Sequence, residues 1–158
     1  MRIVKYIRHE CIIFPLEGAS KTEVIRALAR KVSTCVADLP EEEIFRVIEE
    51  REALGTTAIG GGIAIPHAKI VGLDELLVVA GISPEGVPFN SLDGKPVYVI
   101  FLLLAPEEAT TSYLGLLAKI ARLLKDRELI KRLSGARDPM EIFQMIQAAE
   151  NRSYGVLA

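Results

Sequence analysis

Apolar residues recur along this chain with two different periods, and the switches between them outline its elements. Val24, Ile25, Leu28, Ala29 and Val32 fall at helical spacing after Ser20-Lys21-Thr22-Glu23, a capping-box pattern, and predict a helix over Ser20–Ser33. A second helix starts after Asp38-Leu39-Pro40 with acids in its first turn. It continues through Ile44, Val47, Ile48 and Arg51 to a stop at Gly55. From Thr110 the helical period returns in Leu114, Leu117, Ile120, Ala121 and Leu124, and Asp126–Leu133 either extends that helix or starts a short new one before Gly135. Asp138-Pro139 opens a last helix with buried Ile142, Phe143, Met145 and Ile146. Between these lie extended segments. Glu10–Phe14 predicts a short strand ended by Pro15, Leu76–Ile82 a strong strand, and Val97–Leu104 a central strand covered on both faces. Thr56–Ile65 lacks a helical period and predicts a turn plus an extended piece, while Ser83–Lys95 predicts mostly loop. This order fits an α+β domain, a sheet with helices on both faces, over 1–150, with 151–158 as a loose C-terminal tail.

Composition narrows the class. At 158 residues, 50% hydrophobic and 25% charged, the chain supports one ordered domain. A net charge of -2 supplies no basic field, which argues against nucleic-acid binding. The longest apolar run, Val97–Pro106, falls short of the ~20 residues that span a bilayer. With no secretory pattern at the start, the expectation is a cytoplasmic protein that is not membrane-embedded. Cys11 and Cys35 are then expected as reduced core thiols rather than a disulfide. His9 and Cys11 would face one way on a strand, yet no further ligand pair is in reach by spacing, so no metal and no cofactor are expected.

The chemistry concentrates in Gly55–Lys69, GTTAIGGGIAIPHAK, which holds a cluster of the 12 glycines and one of the 2 histidines. A neutral imidazole can attack phosphorus and carry a phosphoryl group, which makes His67 a candidate nucleophile. Gly60, Gly61 and Gly62 could offer backbone amides as an anion nest, and Pro66 would hold the chain extended ahead of the ring. Arg51, just before the loop, could grip phosphoryl oxygens with its guanidinium. Each has a plainer reading: a histidine at a loop edge, a glycine turn, and a solvated arginine among Glu49, Glu50 and Glu52.

The stretch Arg51-Glu52-Ala53-Leu54-Gly55 through Ile63-Ala64-Ile65-Pro66-His67-Ala68-Lys69 resembles the active-site signature of enzyme IIA domains of the fructose/mannitol class (type 2), from the bacterial phosphoenolpyruvate-dependent phosphotransferase system. Its wording looks closest to the nitrogen-regulatory branch. The resemblance implies a mixed sheet between helical layers, a three-layer α/β/α arrangement. It implies phosphoryl transfer from the histidine phosphocarrier protein to His67, with Arg51 stabilising the transition state. Onward transfer to a IIB domain for sugar uptake, or a regulatory output through protein partners, would follow. The second histidine of the family falls here on Tyr113. That departure favours regulation and keeps open a partner-binding module that is not phosphorylated at all.

Overall fold

The computed structural model describes the backbone of residues 1–157 and the side chains of 1–154. Helix α1 is Lys21–Cys35, with Ser20 as its cap. The Ser20 hydroxyl accepts the Glu23 amide at 3.2 Å, and Glu23 reaches back to the Ala19 amide at 3.2 Å, one residue beyond the usual capping-box partner. Helix α2 is Glu41–Ala53. Strands β1 (Ile63–Ala64), β2 (His67–Ile70), β3 (Leu77–Val87) and β4 (Val97–Pro106) follow. Helices α3 (Thr111–Leu123), α4 (Arg127–Ser134) and α5 (Pro139–Leu157) complete the chain. α4 is a separate helix, because the Asp126 carboxylate accepts the Glu128 and Leu129 amides and starts a new N-terminus.

β4 is the central strand. β3 runs antiparallel along one edge, with Val78 opposite Leu103 and Ile82 opposite Val99. β1 and β2 run parallel along the other, with Ile63 opposite Val99 and His67 opposite Leu103. That register offset is the same for both, so β1 and β2 are two pieces of one line of chain interrupted at Ile65-Pro66. Alternation then divides the side chains. Ala64, Ala68 and Ile70 join the core beneath α1 and α2. Ile63 and Ile65 join the opposite core, with Leu116 and Ile120 of α3, Leu129 and Leu133 of α4, and Ile142 and Ile146 of α5. The result is the mixed sheet between two helical layers that the element order anticipated, and Val99–Ala105 are fully buried.

The structure departs from the expectations at several places. The first strand is not formed: His9–Cys11 is a 3-10 turn, and within Glu10–Phe14 only Ile13 bridges to β3, at Gly81, while Ile7 ahead of it bridges to Val78. The chain must turn there to bury Cys11, and Pro15 has no amide to extend a ladder. β3 runs past Ile82 to Val87 across a register shift, so the expected loop starts later; Ser83 and Val87 are both buried. The segment expected as a tail is helical through Leu157. Cys11 and Cys35 form a disulfide and are not free thiols, because the turn at Cys11 packs on the last residue of α1 with the two Cα atoms 5.8 Å apart, within ordinary bridging range. His9 instead stacks on Phe143 with ring centroids 4.0 Å apart, so it and Cys11 have different partners. Among the described residues no helix is long and apolar enough to cross a membrane.

Candidate functional site

His67 opens β2 immediately after the Pro66 interruption. Its neighbours Ala68 and Ile70 are buried, whereas His67 and Lys69 alternate onto the half-exposed face of the edge strand. The His67 Nδ1 atom lies 2.8 Å from the Ile65 carbonyl oxygen. A carbonyl only accepts, so Nδ1 carries the proton and Nε2 holds the lone pair. Arg51 closes on that second nitrogen, its Nε–H donating toward Nε2 at 3.4 Å.

Arg51 lies in the last turn of α2, and its Nη1 donates to the Gly55 carbonyl at 3.0 Å. The adjacent Glu52 is 7% exposed and holds the start of the loop. It accepts the Thr57 amide at 3.1 Å and the Thr57 hydroxyl, and pairs with Lys21 of α1 at 2.9 Å. Thr56 donates to the Phe89 carbonyl at 3.0 Å. One buried carboxylate thus ties α1, α2 and the loop together, and so fixes where Arg51 can reach.

Tyr113, in the first turn of α3, comes from the opposite helical layer. Its ring centroid is 6.2 Å from that of His67. Burial pushes its hydroxyl pKa up, partly countered by the charge of Arg51, so it stays a neutral O–H at neutral pH. Lys69 Nζ lies 5.7 Å from the Tyr113 ring centroid and adds a second cation. Two helical layers therefore converge over one edge strand to surround an imidazole with an arginine, a lysine and a phenol.

The glycine triplet is elsewhere. Gly62 accepts the Tyr98 and Val99 amides at 2.8 and 3.1 Å, and Gly60 bridges Ile63 in a tight turn. In the constant register with β4, positions 62 and 67 are roughly 16 Å apart along extended chain. The triplet is held by Asp93, whose carboxylate accepts the Gly61 amide at 3.2 Å. Gly60, Gly61 and Gly62 all have φ between 71° and 107°, the region that favours glycine. The geometry brings together His67, Arg51 and Tyr113, and assigns the triplet to a turn.

Asp93 is held below the ordinary carboxylate range, first by the Lys95 amide, then by the Ser91 hydroxyl and the Gly61 amide. A lowered folded pKa means that its contribution is complete above the unfolded value of about 3.9 and is lost as pH falls through the folded one. Asp93→Asn is therefore expected to lower stability relative to wild type at neutral pH, with the difference closing in acid. Denaturant melts across pH would show this, and a difference independent of pH would count against it.

Lys69, Glu52 and Asp93 were not anticipated. The alternation rule applied to His67 points to Lys69 directly, since two residues along a strand share a face. Nothing local marks Asp93, which reaches the triplet across the fold. Three apolar side chains stand exposed beside the site's supporting loops: Leu54 at 84%, Ile59 at 60% and Leu92 at 74%. The Leu92 amide donates to the Ala58 carbonyl at 2.9 Å, next to Ile59.

The site is thus a half-buried histidine beside an arginine, on a mixed sheet between helical layers. Residues 5–149 match the family described as phosphoenolpyruvate-dependent sugar phosphotransferase system, EIIA 2, and the chain belongs to that family. It is 38% identical over 146 residues to a nitrogen regulatory protein of Bradyrhizobium diazoefficiens, covering 92% of this chain and 95% of that one. It is 31% identical over 147 residues to the fructose-specific EIIABC component of Bacillus subtilis, covering 92% of this chain and 23% of that protein. The crystal structure of nitrogen regulatory protein IIA-Ntr from Neisseria meningitidis superposes with a TM-score of 0.83 at 28% identity, covering 91% of this chain and 98% of that one.

Proposed function

We propose that His67 accepts a phosphoryl group on Nε2 from the phosphohistidine of a phosphocarrier protein, and that the modified state has a regulatory output. The observation that carries this is the Nδ1 to Ile65 carbonyl contact at 2.8 Å, which leaves Nε2 as the nucleophile with Arg51 beside it. In the step the Nε2 lone pair attacks phosphorus, a new N–P bond forms, and the N–P bond of the donor breaks. The donor imidazole takes back its electron pair. Each ring keeps the proton on its other nitrogen, so no net proton transfer is needed. Arg51 would turn its guanidinium onto the equatorial oxygens as charge gathers there. Exposed Leu54, Ile59 and Leu92 supply apolar ground for the donor protein.

Two observations support the regulatory output. The similarity to the nitrogen regulatory relative spans nearly the whole of both chains. Tyr113 also offers a neutral hydroxyl where an imidazole would serve fast onward transfer. A second reading, onward transfer to a IIB domain in sugar uptake, is supported by the likeness to the fructose-specific component. The experiment is incubation with phosphoenolpyruvate, enzyme I and the phosphocarrier protein, followed by mass spectrometry. One acid-labile phosphoryl group on His67, absent in His67→Ala, is the expected result. An unmodified wild-type chain would defeat both readings and leave the partner-binding module; rapid discharge to an added IIB protein would favour sugar uptake.

Tyr113→His is expected to speed transfer from His67 to an acceptor. An unchanged single-turnover rate would remove Tyr113 from the account of specificity.

A further inference from the structure

A second cationic site lies where the N-terminal segment meets the ends of α3 and α5. A cavity of about 320 Å³ opens there, with Lys119 and Arg122 on one wall and Arg152 and Tyr154 on the other. That volume is at the lower end for small-molecule pockets. The two acids of the lining are already engaged. Glu150, 3% exposed, accepts the Ile3 and Val4 amides at 2.5 and 3.1 Å, and Asp126 caps α4. Lys119 Nζ donates to the Met1 carbonyl at 2.5 Å and contacts the Tyr154 hydroxyl. Among the described residues, none of Lys119, Arg122 and Arg152 has a carboxylate within ion-pair distance. The neighbouring Arg2 guanidinium is also without one; it stacks 4.3 Å over the Tyr154 ring. The rest of the wall is Ser153 and an apolar part formed by Ile3, Leu123 and Ala149.

Cations left unmatched around a concave, partly apolar space suit a dianion on a small carbon skeleton. The geometry points to a binding site for a small organic phosphate, its oxygens held by the Arg122 and Arg152 guanidiniums and Lys119, its carbon part against Ile3 and Leu123. Guanidinium forks match phosphoryl oxygens in pairs, which a scattered surface charge cannot do. The site is independent of His67. It lies at the far end of α3 from Tyr113, so a ligand there would touch the same helix that closes the histidine site.

The test is titration of the ¹⁵N-labelled full chain with phenyl phosphate and, separately, inorganic phosphate, following amide shifts at constant ionic strength. Saturable shifts at Ile3, Lys119, Arg122 and Arg152 are expected, with phenyl phosphate binding more tightly because of the apolar wall. The double variant Arg122→Gln with Arg152→Gln should weaken binding about tenfold or more, as expected when charge-assisted hydrogen bonds are removed, with an unchanged thermal melt. Shifts that fail to saturate by roughly 10 mM, a concentration that only very weak binding would need, would overturn the assignment. So would equal binding by the double variant. Either result would reduce Arg122 to a partner of the negative helix end of α3, and Lys119 and Arg152 to solvated charges.

Discussion

Arg51→Ala is expected to slow phosphoryl transfer to His67 by about 10²–10³-fold, the loss typical when one fixed donor to a developing oxyanion is removed. The geometry makes Arg51 hard to replace. It is the side chain that reaches Nε2, at 3.4 Å, and it is aimed by its own bond to the Gly55 carbonyl and by Glu52 next to it. Arg51→Lys should recover only part of the rate, since an ammonium keeps the charge but not the planar fork. Single-turnover labelling by the phosphorylated carrier protein measures this, with circular dichroism to confirm the fold. The loss should appear in the transfer rate more than in carrier affinity, because the charge it answers develops in the transition state. A variant within threefold of wild type would remove Arg51 from the mechanism.

The second large effect concerns stability. Breaking the Cys11–Cys35 bond, by reductant or by paired Cys→Ser substitution, is expected to lower the unfolding free energy by about 3 kcal/mol, the loop-closure contribution for this sequence separation of 24. For a chain of this size that corresponds to a drop of roughly 6–12 °C in melting temperature. The affected region is specific. The bond joins the N-terminal turn to the end of α1, so amides near Ile13 and Val36 should lose hydrogen-exchange protection first. Identical melts with and without reductant would show that the bond contributes nothing in solution.

The contrast between these two features shows what could be read in the sequence. Three of the helices were legible because they carry their starts in the chain: Ser20 for α1, the acids after Pro40 for α2, and Asp138-Pro139 for α5. β4 was legible as an unbroken apolar run. Arg51 and His67 were legible through the signature that joins them. The disulfide was not, because the expectation followed the redox compartment, while the bond depends on a distance set by a turn that no local pattern announces. The glycine triplet suggested a phosphate cradle because it is close to His67 in sequence, but extended chain converts five positions into roughly 16 Å. Lys69 was open to the alternation rule, whereas Asp93 required the fold.

The interruption at Ile65-Pro66 has a consequence for how other proteins can approach. The outer edge of a sheet is normally a template on which a foreign strand can add itself, hydrogen bond by hydrogen bond. Here that edge is only Ile63–Ala64 and His67–Ile70, with a proline between them that has no amide to offer. A visiting chain finds no continuous ladder beside His67. Recognition at this edge must therefore be made by side chains and surface shape, and a partner could leave without peeling a strand away.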